Sequence, residues 1–177
     1  NEHVSLGLPA SLRFTNRIDE LESAILRTPA SGMTALYDAV VEALDRLQTG
    51  NRGKKVLIVI SDGGDNASRR KLAEVLKLAE RSSSLVYTIG IFDEADPDRN
   101  PGVLQRLALA TGGEANIPGG SESLAAVCER IAGEIRHQYT IGYVSTNPEQ
   151  TGAYRTIRVL AASPGAGRLT VRARAGY

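Results

Sequence analysis

Apolar positions along this chain switch repeatedly between a helical period and runs suited to strands. After Asn16, a residue type that caps helix starts, Ile18, Leu21 and Ile25 share one helical face, and the pattern stops before Pro29. A second stripe, Leu36, Val40, Ala43, Leu44 and Leu47, predicts a helix over residues 34–47 that ends at the turn signals of residues 50–53. Residues 56–60 are all β-formers, the composition of a strand buried on both faces of a parallel sheet. Ser68 then caps a predicted helix with Leu72, Val75, Leu76 and Ala79 inward, and residues 85–91 form the next strand. A helix through Val103, Leu104, Leu107 and Ala108 closes at Gly112 and Gly113, ahead of a short strand over residues 114–117. From Ser121 a long helix running to about His137 is expected to bury Leu124, Val127, Cys128, Ile131 and Ile135. Strands and helices alternating at these lengths imply right-handed crossovers and a doubly wound α/β fold.

Beyond Tyr139 the period changes. Residues 139–144, 154–160 and 169–173 all read as strands, separated by turn signals at Asn147-Pro148, Gly152 and residues 163–165. The expected organisation is a doubly wound domain over residues 1–137 and an antiparallel β extension over residues 138–177, packed on the same domain.

The chemistry concentrates where the strand over residues 56–60 ends. The run KVLIVISDGGDN (residues 55–66) places Asp62 there, followed by Gly63 and Gly64. In open α/β sheets ligands gather outside the carboxyl ends of the strands, and glycines let backbone approach closely, so Asp62 is a candidate metal or polar-ligand residue. Upstream, GMTALYDAV (residues 32–40) opens a helix beside the hydroxyl of Thr34. Taken alone, helix capping is the commoner role for a threonine there, and a cap or turn acid is the commoner role for Asp62.

Together these two segments resemble the von Willebrand factor type A domain. The resemblance continues through VYTIGI (residues 86–91) and LALATGG (residues 107–113), and HQYTIGY (residues 137–143) with RAGY (residues 174–177) is similar to a bacterial subgroup with strands after the domain. In that family a threonine from GxTxLxDA and an aspartate from a strand ending in SDG hold one divalent cation. The resemblance implies Thr34 and Asp62 as metal ligands, with Gly32, Ser61, Gly63 and Asp65 around them. It also implies a Mg²⁺ (or Mn²⁺ or Ca²⁺) site whose open position takes an acidic side chain from a protein partner, and an extracytoplasmic setting.

The family's DxSxS motif, source of the remaining ligands, does not occur in these residues. Residues 4–8 with Phe14 and Thr15 align with the family's third, antiparallel edge strand, so the chain is expected to lack the first strand, first helix and second strand of the fold. The family sheet runs three, two, one, four, five, six. Without its middle, residues 56–60 become an apolar edge, for which self-association, recruitment of another strand or dependence on the missing segment is the expected result. The cation site is then incomplete, and metal binding by this chain weak or absent.

Composition narrows the alternatives. At 177 residues the chain suits one domain with a real core, and 21 basic against 20 acidic residues leave +1, too little to concentrate nucleic acid. No apolar run reaches the ~20 residues of a membrane span. The single Cys128 excludes an internal disulfide and reads as a small core residue. Dinucleotide, P-loop and nucleophile-elbow signatures are missing, which puts a metal-assisted hydrolase well below a non-catalytic binding or adhesion module. A structural or assembly module with a vestigial metal site is the other alternative.

Overall fold

The computed structural model describes residues 3–28, 32–93, 95–119, 123–146, 154–165 and 167–176. Its elements are α1 (Ile18–Arg27), α2 (Leu36–Gln48), β1 (Lys55–Ser61), α3 (Leu72–Arg81), β2 (Ser84–Gly90), α4 (Pro101–Thr111), β3 (Ala115–Asn116), α5 (Leu124–His137), β4 (Ala161–Ser163) and β5 (Gly167–Leu169). β1, β2 and β3 form a parallel sheet in that order, and β4 and β5 form a separate antiparallel pair. This is the expected mixed α/β architecture.

The period-two geometry of the strands divides the core between the two sheet faces. Leu57, Val59 and Val86 pack on one side against Val40, Val41 and Leu44 of α2, Val75 and Ala79 of α3, and Val103, Leu104 and Leu107 of α4. Val56, Leu85, Tyr87 and Ile89 meet Val127, Ile131 and Ile135 of α5 on the other. β2 is the central strand and is covered on both faces. Its buried polar groups are paired: the Val86 N–H donates to Thr111 Oγ1 at 2.8 Å, and the Thr88 hydroxyl donates to the Leu104 carbonyl at 3.1 Å.

β1 departs from the sequence expectation of burial on both faces. Among the described residues it pairs with β2 alone, and Ile58 and Ile60 are 47% and 54% exposed. Both belong to the α5 side of the sheet, outside the cluster that Val56 forms with α5 among the described residues. The apolar edge expected of this strand is present.

Residues 4–8 and Phe14-Thr15 form no strand. A strand exists only where a neighbour takes its backbone N–H and C=O groups, and no described segment does so here. α1 begins at Arg17 in the N-cap position with no side-chain cap, not at Asn16, and its apolar face is open: Ile18 and Ile25 are mostly exposed. Cys128 is exposed as well, not a core residue, and Leu124 is 42% exposed. The helix buries the narrower stripe of Val127 and Ile131, and Cys128 lies one residue, about 100°, off Val127. Ser123 is its cap, accepting from the Ala126 N–H. Ser121 lies outside the described residues.

The C-terminal expectation is met in class and shifted in place. Residues 139–144 carry no strand, and the antiparallel pairing falls at β4 and β5 with a further bridge between Thr156 and Gly176. Residues 155–163 still alternate, with odd-numbered positions half-buried and even-numbered ones exposed. The strand period is therefore where the sequence puts it. The register is set by the Pro164-Gly165 turn, where Gly165 has φ +84°.

Tyr87 carries a testable consequence of this packing. Burial, then the negative charge of Glu134 on α5, raises its phenol above the usual range, with Arg172 opposing. Tyr37 is raised by burial and by Asp65. For groups whose folded-state value is raised, stability is fully present below the unfolded value of about 10 and is lost as pH climbs through the folded value. The urea midpoint should fall above about pH 10, and Tyr87→Phe should shrink that fall, measured by paired denaturation series.

Candidate metal centre

Three loops meet at the carboxyl ends of β1 and β2. The segment before α2 is tied to the loop after β1 by backbone: the Asn66 and Ala67 N–H groups donate to the Thr34 carbonyl at 3.0 and 3.1 Å, and the Thr34 N–H donates to Asn66 Oδ1 at 2.7 Å. The Asn66 amide donates onward to Asp98 Oδ2 at 3.2 Å, in the loop after β2. The Asn100 N–H donates to the Asp62 carbonyl at 2.9 Å. Thr34 and Asp62, distant in sequence, thus belong to one cross-linked loop cluster.

Asp62 itself is half-buried, and the hydrogen bonds it accepts through its side chain fall on Oδ1, from the Gly64 N–H at 2.9 Å and the Ser61 hydroxyl at 3.4 Å. The first is an Asx turn, the ordinary role of an acid at such a position. Among the described residues no hydrogen bond reaches Oδ2. Ser61 also accepts from the Gly63 N–H at 3.0 Å, which fixes the turn beneath the carboxylate.

Thr34 is not a helix cap. The N-cap position of α2 is Ala35, without a side-chain cap, and the Thr34 hydroxyl makes no hydrogen bond among the described residues. The open N–H groups of α2's first turn are met from across the cluster. Tyr37 N–H donates to Asp65 Oδ2 at 2.8 Å, and Asp38 N–H donates to the Ser68 hydroxyl at 3.1 Å. Ser68 in turn donates to Asp65 Oδ2 at 2.6 Å, while Asp38 accepts from the Arg69 and Arg70 N–H groups. Asp65 is thereby committed to holding α2 against the β1 loop. Ser68 does not cap α3, whose N-cap position is Lys71.

Two glycines expected near the site, Gly32 and Gly63, adopt left-handed backbone, at φ +79° and +80°. At Gly63 a Cβ would overlap the Asn100 carbonyl. Asn100 was not singled out by sequence, although Asn before Pro101 is a helix-start signal. Its Oδ1 accepts from the Val103 N–H at 3.3 Å, so it caps α4 while gripping β1's tip.

The donor set fits a hard cation in part. A threonine hydroxyl and a carboxylate oxygen are the oxygen ligands such ions take, but Mg²⁺ requires about six, and among the described residues no group of three or more His, Cys, Asp or Glu could hold a metal. Any tight site built on this cluster takes further oxygens from elsewhere.

The von Willebrand factor type A domain profile matches residues 9–125. A comparison with curated proteins gives no match. Among solved structures the chain is similar to the conserved hypothetical protein BatB from Bacteroides thetaiotaomicron, at 19% identity over 68% of each chain with a TM-score of 0.45. It is also similar to an aerotolerance-related membrane protein from Bacteroides fragilis, crystallised with multiple mutations to serine (16% identity, 68% of this chain, 71% of that one, TM-score 0.48). An uncharacterized membrane spanning protein from Vibrio fischeri matches at 20% identity over 65% of each chain, with a TM-score of 0.40.

Proposed function

The chain belongs to the von Willebrand factor type A domain family, commonly protein-interaction modules, and on that premise we propose that it is a non-catalytic binding module whose partner-facing surface is the loop cluster around Thr34 and Asp62. The observation that carries this reading is the spare coordinating capacity there. The Thr34 hydroxyl and Asp62 Oδ2 take no hydrogen bond among the described residues, whereas both oxygens of the neighbouring Asp65 and of Asp38 accept hydrogen bonds that hold the loops.

A divalent cation held by these two oxygens would keep open positions, and an under-neutralised ion attracts a partner's carboxylate. Thr34 and Asp62 would bind the ion. Ser61, Gly63 and Gly64 hold the aspartate's orientation, and Asp65 with Asn66 fixes the threonine segment against it. Catalysis is not part of the proposal, because no general base faces Asp62 among its hydrogen-bond partners.

A second reading rests on a different observation, the outer edge of β1, unpaired among the described residues, with Ile58 and Ile60 exposed. Such an edge accepts another strand, from a second copy or another segment, and would make the chain an assembly module. Capture of binding proteins from an extract separates the two. Chelator and Asp62→Ala are each expected to abolish a cation-dependent capture, and capture that survives both while Ile58→Lys removes it would favour assembly through the edge.

A further inference from the structure

The C-terminal stretch makes its contacts at the end of the sheet opposite Asp62. Between the β4–β5 pairing and the Thr156–Gly176 bridge, one strand advances five residues from Thr156 to Ala161 while the other advances seven from Leu169 to Gly176. Two extra residues are therefore carried on the second segment, in a stretch without ladder pairing among the described residues that contains Arg172, Ala173 and Arg174.

All three touch the α/β domain. Arg172 pairs with Glu134 of α5 at 2.8 Å and with Glu114 before β3, and Glu114 also pairs with Arg130 at 3.1 Å. Arg174 donates to the Glu80 carbonyl at 2.9 Å, in the last turn of α3, where the helix presents its unpaired carbonyls. Gly112, the left-handed C-cap of α4, lies so close to the backbone of Ala173 and Arg174 that a Cβ there would overlap it. The stem is closed from within by the Ile157 N–H donating to the Ala175 carbonyl at 2.7 Å.

Among the described residues, the opposite end of the same arm has no comparable hold. β5 is exposed throughout, with Leu160 and Leu169 open to solvent. A two-stranded hairpin is marginal alone, so the arm's order depends on the contacts at its stem. The ion pairs among those contacts are partly exposed: Arg172, Glu114 and Glu134 retain side-chain exposures of 45%, 28% and 24%. Partly exposed ion pairs weaken with salt, since the screening length falls from about 10 Å at 0.1 M to about 3 Å at 1 M.

We infer that residues 154–165 and 167–176 form a strap latched to the base of the α/β domain by Arg172 and Arg174, and that the latch releases with rising ionic strength while the domain stays folded. The two arginines reach three elements, so the strap joins α3, the α4–β3 junction and α5. Release frees the arm without disturbing the loop cluster around Asp62, which lies at the other end of β1.

Hydrogen exchange of the 177-residue chain, read at single amides, tests this. Ile157, whose N–H bonds to the strap's second strand, is the reporter; Ile91, bonded to the Ser61 carbonyl, is the reference. Raising NaCl from about 0.02 M to 1 M should speed exchange at Ile157 at least about threefold and leave Ile91 unchanged. Arg172→Ala should give the fast rate already at low salt and abolish the salt response, with Arg172→Lys in between. Salt-insensitive exchange at Ile157, or Arg172→Ala exchanging as slowly as the parent, would overturn the latch. Equal acceleration at Ile157 and Ile91 would overturn it too, by showing that Arg172 supports the whole fold.

Discussion

Gly63→Ala is expected to lower stability by more than about 3 kcal/mol and to dismantle the loop cluster with it. Left-handed backbone at φ +80° costs a residue with a Cβ about 1–2 kcal/mol before any contact is counted. The Cβ would also overlap the Asn100 carbonyl and press on Leu104. Asn100 cannot yield cheaply, because it donates to the Asp62 carbonyl and caps α4, and Leu104 is fully buried. Strain and steric conflict of this kind belong to the short list of causes that produce large single-site losses. Urea unfolding should show a much lower midpoint. Gly53→Ala is the control, since a Cβ there meets nothing within 4 Å, and its effect should stay within about 0.5 kcal/mol.

The parts of the fold that were legible in sequence are those where local and global preferences agree. β2 and α4 are examples: an apolar run of β-formers, and a stripe of Val103, Leu104 and Leu107 ended by Gly112, each buried as expected. Residues 4–8 failed as a strand for a non-local reason. Their composition permits a strand, but pairing depends on a neighbour that the described residues do not supply. Cys128 misled because an apolar residue beside a buried stripe was counted into it, and the helix presents a narrower face to the sheet than the full stripe of residues 124–135.

At the loop cluster, sequence reading brought Thr34 and Asp62 together but did not show how the side chains there divide the hydrogen bonding. Thr34 and Asp62 do lie in one cluster, through the Asn66 and Asn100 bonds that join its loops. Asp65 gave no sign in sequence that it serves α2, because capping across elements leaves no local spacing to detect. Its carboxylate bonds to Tyr37 and Ser68 at once, which takes it out of the pool of free ligands.

The second large effect concerns the cation. With two protein oxygens, binding by this chain should be weak and in fast exchange, and Asp62→Ala should reduce it at least about tenfold, as losing even an outer partner of a metal site commonly does. Thr34→Val, which removes the hydroxyl and keeps the volume, should act in the same direction without unfolding the cluster, since that hydroxyl makes no hydrogen bond among the described residues.

Mn²⁺ titration followed by paramagnetic broadening of backbone amides measures this directly, because broadening falls steeply with distance from the ion. Broadening centred on Thr34, Gly63 and Gly64, and lost in Asp62→Ala, is the predicted result. Broadening centred instead on Asp98 in the loop after β2, or unchanged in Asp62→Ala, would contradict a cation shared by Thr34 and Asp62.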